Sequence, residues 1–143
     1  MEKKRKVEII SNLKKNRIDK DEIARFALDV MDKMNIFGSI SIFFCGKKKI
    51  KELNNEFRQK EGYTDVISFP SGKNYFGDDF LGDVAICLDI AKENAFKYGI
   101  SLDNEIKNLV VHSILHLSGY DHENDRGQMK RKENRILREL NLK

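Results

Sequence analysis

The order of hydrophobic and polar residues predicts short strands and amphipathic helices along the chain. Strand-like segments rich in β-branched and aromatic side chains occupy residues 6–10, 39–45, 66–69 and 83–87. Segments with helical periodicity run from Asp19 or Asp21 to about Asn35, and over residues 47–57, 88–98, 101–117 and 125–140. Residues 71–80 contain two glycines and an asparagine, and are expected to form a surface loop.

These elements follow no strict strand–helix–strand repeat, which favours an α+β fold with helices packed against a small mixed sheet. The sequence contains no internal repeat, low-complexity tract or linker, so residues 1–143 are expected to form a single domain. Hydrophobic residues make up 40% of the chain, as in ordinary globular domains with a core of their own.

Features that would direct the chain to a membrane or an oxidising compartment are missing from the sequence. No apolar run approaches the roughly 20 residues needed to span a bilayer, and the first ten residues lack the apolar segment of a signal peptide. We therefore expect a cytoplasmic protein without a membrane partner. Cys45 and Cys87 each end an apolar segment and form no C-x-x-C pair, so two buried thiols are expected rather than a disulfide or metal ligands.

The net charge of +4 is unevenly distributed along the chain. Residues 1–20 hold eight basic and three acidic groups, and residues 125–143 hold seven basic and three acidic groups. The segment between them holds twelve basic and seventeen acidic groups. The basic ends suit contact with a polyanion such as RNA, but the charge alone favours solvated helix faces and a mobile tail.

All three histidines of the chain lie within eleven residues, in His112-Ser-Ile-Leu-His116-Leu-Ser-Gly119-Tyr-Asp-His122. Residues four apart on a helix share one face, so two imidazoles one turn apart can reach the same ion. Gly119 can take a positive φ, end the helix and let the chain return with His122. Three histidine ligands that leave one position open are typical of catalytic zinc, so one Zn²⁺ per chain is expected. Nickel, iron and copper also suit imidazole ligands.

The spacing H-x-x-x-H-x-x-G-x-x-H is that of the metzincin peptidases, so a zincin-like metal-binding helix and a zinc peptidase are one interpretation. Those enzymes carry glutamate as general base directly after the first histidine. Ser113 stands at that position here, and an alcohol cannot accept a proton as a carboxylate does. The peptidase interpretation is weakened accordingly.

The segment HSILHLSGYDH at residues 112–122 resembles the signature of the YbeY family of bacterial rRNA maturation factors, described as metal-dependent endoribonucleases specific for single strands. Matching segments precede it in the right order: LNNEFR at 53–58, TDVISFP at 64–70 and LGDVAI at 81–86. The resemblance covers roughly residues 50–125. It departs from the family at Ser113, where glycine is usual; serine is also small, so little harm to metal binding is expected.

The resemblance implies a cleft arginine that corresponds to Arg58, and a cleft lined by the TDVISFP strand. We therefore expect Arg58 as the catalytic residue, and Arg58, Asp65 and Ser68 as substrate-binding residues. A guanidinium can hold a phosphate through two hydrogen bonds and neutralise charge that develops at phosphorus. Asp65 and Asp83 could equally be turn residues or orient a histidine. The lysines upstream of Arg58, at 47–49 and 51, could extend a phosphate track or form a solvated helix face.

The expected function is hydrolysis of phosphodiester bonds in single-stranded RNA during rRNA maturation, with precursor rRNA and ribosomal proteins as partners. The general base is unassigned, and attack by the 2′-OH of the RNA is an open alternative to attack by water. Two other functions remain open at this point: the zinc peptidase, and a metal-stabilised ribosome-assembly factor that binds RNA without cutting it. Metal analysis combined with RNA cleavage assays would separate them.

Overall fold

The computed structural model describes residues 4–13, 18–71, 80–119 and 126–140. Within these ranges the chain forms four strands and five helices, which confirms the α+β class. No helix in them is long and apolar enough to cross a bilayer. The elements in chain order are β1 (Arg5–Ser11), α1 (Lys20–Lys33), β2 (Gly38–Cys45), α2 (Lys47–Arg58), β3 (Val66–Pro70), β4 (Phe80–Cys87), α3 (Leu88–Tyr98), α4 (Leu102–Leu117) and α5 (Gln128–Glu139).

The strands form one mixed sheet in the order β1-β2-β4-β3. β1, β2 and β4 are parallel, and β3 runs antiparallel to β4 at the edge. Parallel neighbours need a crossover, and α1 supplies the one between β1 and β2. Pro70 ends β3 at this edge, where its missing N–H costs no ladder hydrogen bond.

Alternate strand residues point to opposite sides of the sheet. Helices pack against both sides, so the protein has a core on each face of the sheet. Phe44 and Ile86 belong to the larger core, which the sheet forms with α1 and α4. Their neighbours in sequence, Cys45 and Ala85, belong to a smaller core that also contains Ile50 of α2. The sheet therefore separates α2 from α4, with the edge strand β3 between them.

The start of β4 differs from the sequence prediction. The strand begins at Phe80 rather than at Asp83, so the predicted loop ends earlier; residues 72–79 lie outside the described ranges. Gly82 is a buried residue of this strand with φ of 149°. A Cβ at this position would overlap the carbonyl oxygen of Phe69 and lie 2.7 Å from Leu117 Cδ2. Glycine is required here because β3 and α4 approach the backbone closely.

The two cysteines are free and fully buried, as predicted. They lie opposite each other on the neighbouring strands β2 and β4. Burial, reinforced by the neighbouring Cys87 thiol, raises the pKa of Cys45 to about 12, and burial also raises the pKa of Cys87. Both thiols are therefore protonated, inert core side chains near neutral pH.

Replacing Gly82 by alanine should destabilise the fold strongly. The disfavoured backbone conformation costs about 1–3 kcal/mol, and the overlap with β3 and α4 adds about 1–3 kcal/mol. Gly99→Ala is the matched control, since Gly99 also has a positive φ of 67° but open space where a Cβ would lie. Chemical denaturation of both variants measures the difference. Equal losses would contradict the close approach at Gly82.

The buried thiols should make stability fall with alkaline pH. The pKa of Cys45 is raised from 9.0 to about 12 in the folded protein, so the unfolded chain releases this proton first. The contribution is complete below pH 9 and declines above it, by at most about 1.4 kcal/mol per pH unit for one thiol. Urea denaturation of wild type and Cys45→Ala between pH 8 and about 11 measures this. The variant should lose less stability over that interval, and parallel curves would contradict the assignment.

Candidate active site

Helix α4 presents His112 and His116 on the side of the helix that faces β3. Ser101 begins the helix by accepting a hydrogen bond from the Asn104 N–H at 3.1 Å. The predicted apolar stripe is buried against the core, while the two histidines are only partly buried. The members of this apolar stripe are Ile106, Leu109, Val110 and Leu117.

The two imidazole rings meet edge to face, with Nε2 of His112 and Nε2 of His116 3.1 Å apart. Two nitrogens bound to one tetrahedral ion at about 2.0–2.1 Å would lie about 3.3 Å apart, so the pair fits two ligands of a single metal. Gly119 follows the helix with φ of 107°, as the sequence predicted. His122 lies outside the described residues, and within them no third histidine, cysteine or carboxylate completes a metal cluster.

A cavity of about 340 Å³ brings the predicted site residues together. Arg58 enters it from the end of α2, Ser68 from β3 and Asp65 from the bend before β3, opposite the two histidines. Its complete lining is Arg58, Thr64, Asp65, Val66, Ile67, Ser68, His112 and His116. Five residues chosen from sequence thus share one cavity, formed by three elements that are distant along the chain.

A second cavity, of about 320 Å³, shares Asp65, Val66 and His112 with the first. Its wall includes Glu105 of α4, a carboxylate that is only 5% exposed. The Asn94 side chain of α3 donates to Oδ2 of Asp65 at 3.1 Å and to Oε2 of Glu105 at 3.0 Å. This shared amide joins the start of β3 to α4 and fixes the direction of the Asp65 carboxylate.

Glu133 of α5 is a site residue that the sequence interpretation missed. Its Oε2 lies 3.5 Å from Nδ1 of His112, and the residue is 8% exposed. Histidines that bind metals usually donate their other ring nitrogen to such an acceptor, which fixes the tautomer. Glu133 follows His112 by 21 positions on a different helix, so no local spacing could have indicated it.

Ser113 and Asp83 take no part in either cavity. Ser113 is fully buried, and its hydroxyl donates to the Leu109 carbonyl at 2.6 Å. A glutamate side chain at this position would have to enter the core. The position therefore does not suit the general base of a peptidase. Asp83 is an exposed residue within β4, so the suggestion that it orients a histidine finds no support in the described contacts.

The fold and site together define an α+β protein whose paired-histidine helix faces an arginine across an edge strand. Comparison with known families finds a match over residues 8–141 to the family described as Endoribonuclease YbeY. The chain belongs to the YbeY family. This confirms the family predicted from HSILHLSGYDH and the associated segments, and with it the enzyme class, a nuclease that hydrolyses phosphodiester bonds.

Two relatives match over more than nine tenths of their own length. A protein of Aquifex aeolicus named Endoribonuclease YbeY is 39% identical, with 96% of this chain and 95% of that protein covered. A protein of the same name from Nautilia profundicola is also 39% identical, covering 87% of this chain and 92% of its own. The solution structure of a Thermotoga maritima protein superimposes with a TM-score of 0.66 at 26% identity, over 94% of this chain and 88% of that one.

Proposed function

We propose that this protein is a zinc-dependent endoribonuclease that cuts single-stranded RNA during rRNA maturation. The observation that supports this most directly is the cavity shared by Arg58, His112 and His116. A guanidinium opposite a histidine pair suits a phosphodiester, because the cation can bind the phosphate while the histidines hold a metal. The bond that a peptidase cuts is neutral, whereas the phosphodiester that a nuclease cuts carries a charge that Arg58 can bind.

The metal in this proposal is held by His112, His116 and His122. The Nε2–Nε2 distance of 3.1 Å and the carboxylate of Glu133 beside His112 Nδ1 fit such a site. Zinc supplies Lewis acidity when bound: it polarises a phosphoryl oxygen and makes water a better nucleophile near neutral pH. Other divalent transition metals would suit the same ligands.

The remaining residues bind and orient the substrate in this proposal. Arg58 holds the phosphate and stabilises charge that develops on its oxygens. Ser68 can donate a hydrogen bond to the same group from β3, and Asp65 can accept one from a ribose hydroxyl. Asn94 keeps the Asp65 carboxylate fixed, so this contact needs little reorganisation.

Precursor rRNA and the ribosomal proteins bound to it are the partners we propose, which would place the protein in the cytoplasm. The alternative of an assembly factor that binds RNA without turnover uses the same cavity. The endoribonuclease needs Arg58 and the histidines to cleave RNA, whereas the assembly factor leaves the RNA intact.

Metal content should depend on both described histidines. Wild-type protein saturated with zinc should retain one ion per chain, whereas His116→Ala should retain much less. Glu133→Gln should weaken zinc binding by about 10–100-fold without abolishing it, because it removes an outer acceptor and no ligand. Elemental analysis and competition with a chelator measure both effects.

Ser118→Ala is the control for this experiment, since Ser118 follows shortly after His116 and its hydroxyl donates to the Leu115 carbonyl. It should bind zinc as wild type does. A wild-type protein without stoichiometric metal after zinc saturation would contradict the proposed metal centre.

Arg58→Ala should slow RNA cleavage while leaving metal content and melting temperature unchanged. Loss of one charge-assisted contact to a transition state costs about 3 kcal/mol, or roughly a hundredfold in rate. Arg58→Lys should restore only part of the rate, because an ammonium lacks the two-pronged geometry. Single-turnover cleavage of a labelled single-stranded RNA at saturating protein measures these rates.

Lys60→Ala is the matched control, since it removes an exposed positive charge two residues away that does not line the cavity. It should cleave nearly as wild type does. A rate for Arg58→Ala within about twofold of wild type, far below a typical catalytic contact, would remove Arg58 from the mechanism. Metal-dependent cleavage of casein with RNA left intact would support the peptidase instead.

A further inference from the structure

An aromatic ring flanked by two lysines lies on the surface beside the cavity. Tyr63, in the segment between α2 and β3, is 53% exposed. The Nζ atoms of Lys47 and Lys51 lie 5.7 Å and 5.6 Å from its ring centroid, within the range of cation–π contacts. We call Tyr63, Lys47 and Lys51 the Tyr63 platform.

The platform is continuous with the cavity in two ways. Tyr63 directly precedes Thr64 and Asp65, which line the cavity. Lys47 and Lys51 lie one turn apart on α2, and Arg58 follows two turns later on nearly the same face. A strand of nucleic acid held at Arg58 can therefore extend along this face of α2 toward the platform.

The segment that holds Tyr63 is fixed by Asn54 of α2. Gln59 takes a left-handed conformation, and the Lys60 N–H donates to the Asn54 carbonyl at 3.2 Å. The Asn54 side chain, only 4% exposed, donates to the Gly62 carbonyl at 3.3 Å. These contacts present the tyrosine ring to solvent in a defined position, which lowers the entropic cost of binding a partner.

We propose that the Tyr63 platform stacks an unpaired base of the RNA strand whose phosphate Arg58 holds, an inference that rests on the proposed function. An aromatic face accepts any base, and flanking cations track the phosphates, which is the chemistry of single-strand binding without sequence preference. Bases inside a duplex have both faces covered, so the platform selects single strands. Lys47 also pairs with Glu93 at 3.3 Å, which leaves Lys51 as the main cation toward the phosphates.

Other exposed aromatic side chains fit this role less well. Phe57 is 58% exposed, but its ring packs edge to face with Phe69 at 5.4 Å. Tyr98, 60% exposed, has Lys97 5.7 Å from its ring, but it lies at the end of α3 and neither of its chain neighbours lines either cavity. Tyr98 therefore has similar local chemistry without continuity with the cavity, which makes it a matched control.

The test is the affinity of the zinc-loaded protein for a labelled 2′-O-methyl oligouridylate, with gel electrophoresis after each measurement to show that the oligomer is still intact. Tyr63→Ala should weaken binding by about tenfold, whereas Tyr63→Phe should remain within about twofold of wild type because stacking is retained. Tyr98→Ala should have no effect. An oligomer of the same length without bases should bind wild type and Tyr63→Ala equally.

Salt dependence separates the base contact from the charges. Lys51→Gln should reduce the slope of log affinity against log salt by about one, and Tyr63→Ala should leave it unchanged. Tyr63→Ala binding the oligouridylate within twofold of wild type would overturn the platform, as would an equal loss on the oligomer without bases. If wild-type protein binds neither oligomer, the proposed RNA function itself fails and the platform with it.

Discussion

The position of the histidine pair depends on how closely α4 and β3 approach β4 at Gly82. The last turn of α4 brings Leu117 against this residue, and the edge strand passes on its other side at Phe69 and Pro70. A side chain here would push both elements outward. His116 stands one residue before Leu117, and Ser68 one residue before Phe69, so the width of the cavity follows from a contact on the core side of its walls. The absence of a Cβ at Gly82 therefore influences the width of the cavity, although Gly82 does not line it.

The second requirement is that polar groups buried around His112 remain hydrogen bonded. Glu105 accepts from Asn94 and Asn108, and Glu133 lies against His112 itself. Burying a carboxylate without partners is costly, so these contacts offset desolvation and also restrict side-chain orientation. Asn94 serves both Glu105 and Asp65, so its loss would remove one hydrogen bond from each of these carboxylates. The network couples α3, α4 and the start of β3 into one wall.

The sequence predicted those parts of the site that depend on local spacing. His112 and His116 share a helix face, Gly119 ends that helix, and the apolar stripe of α4 is buried, all from residues within one element. Arg58, Asp65 and Ser68 could be chosen only through the family resemblance, because no spacing relates them to α4. Glu133 and Asn94 were not predicted, because each contacts residues that are distant from it along the chain. The close packing at Gly82 was not predicted, because a glycine has no side chain from which the approach of β3 and α4 could be inferred.

The two cavities that meet at His112 differ in charge, and this difference orients any polyanion bound there. One side holds Arg58 and continues to Lys47 and Lys51. Both sides share Asp65, but the second adds the carboxylates of Glu105 and Glu133 against the single positive charge of Lys130. The phosphates of a bound polyanion are attracted to the first side and repelled by the second. The acidic side instead faces Nδ1 of His112, where a negative charge holds the imidazole and favours a cation at Nε2. If the site acts as proposed, the carboxylates of this side exclude the RNA backbone from one direction, and Glu133 strengthens His112 as a ligand of the proposed metal.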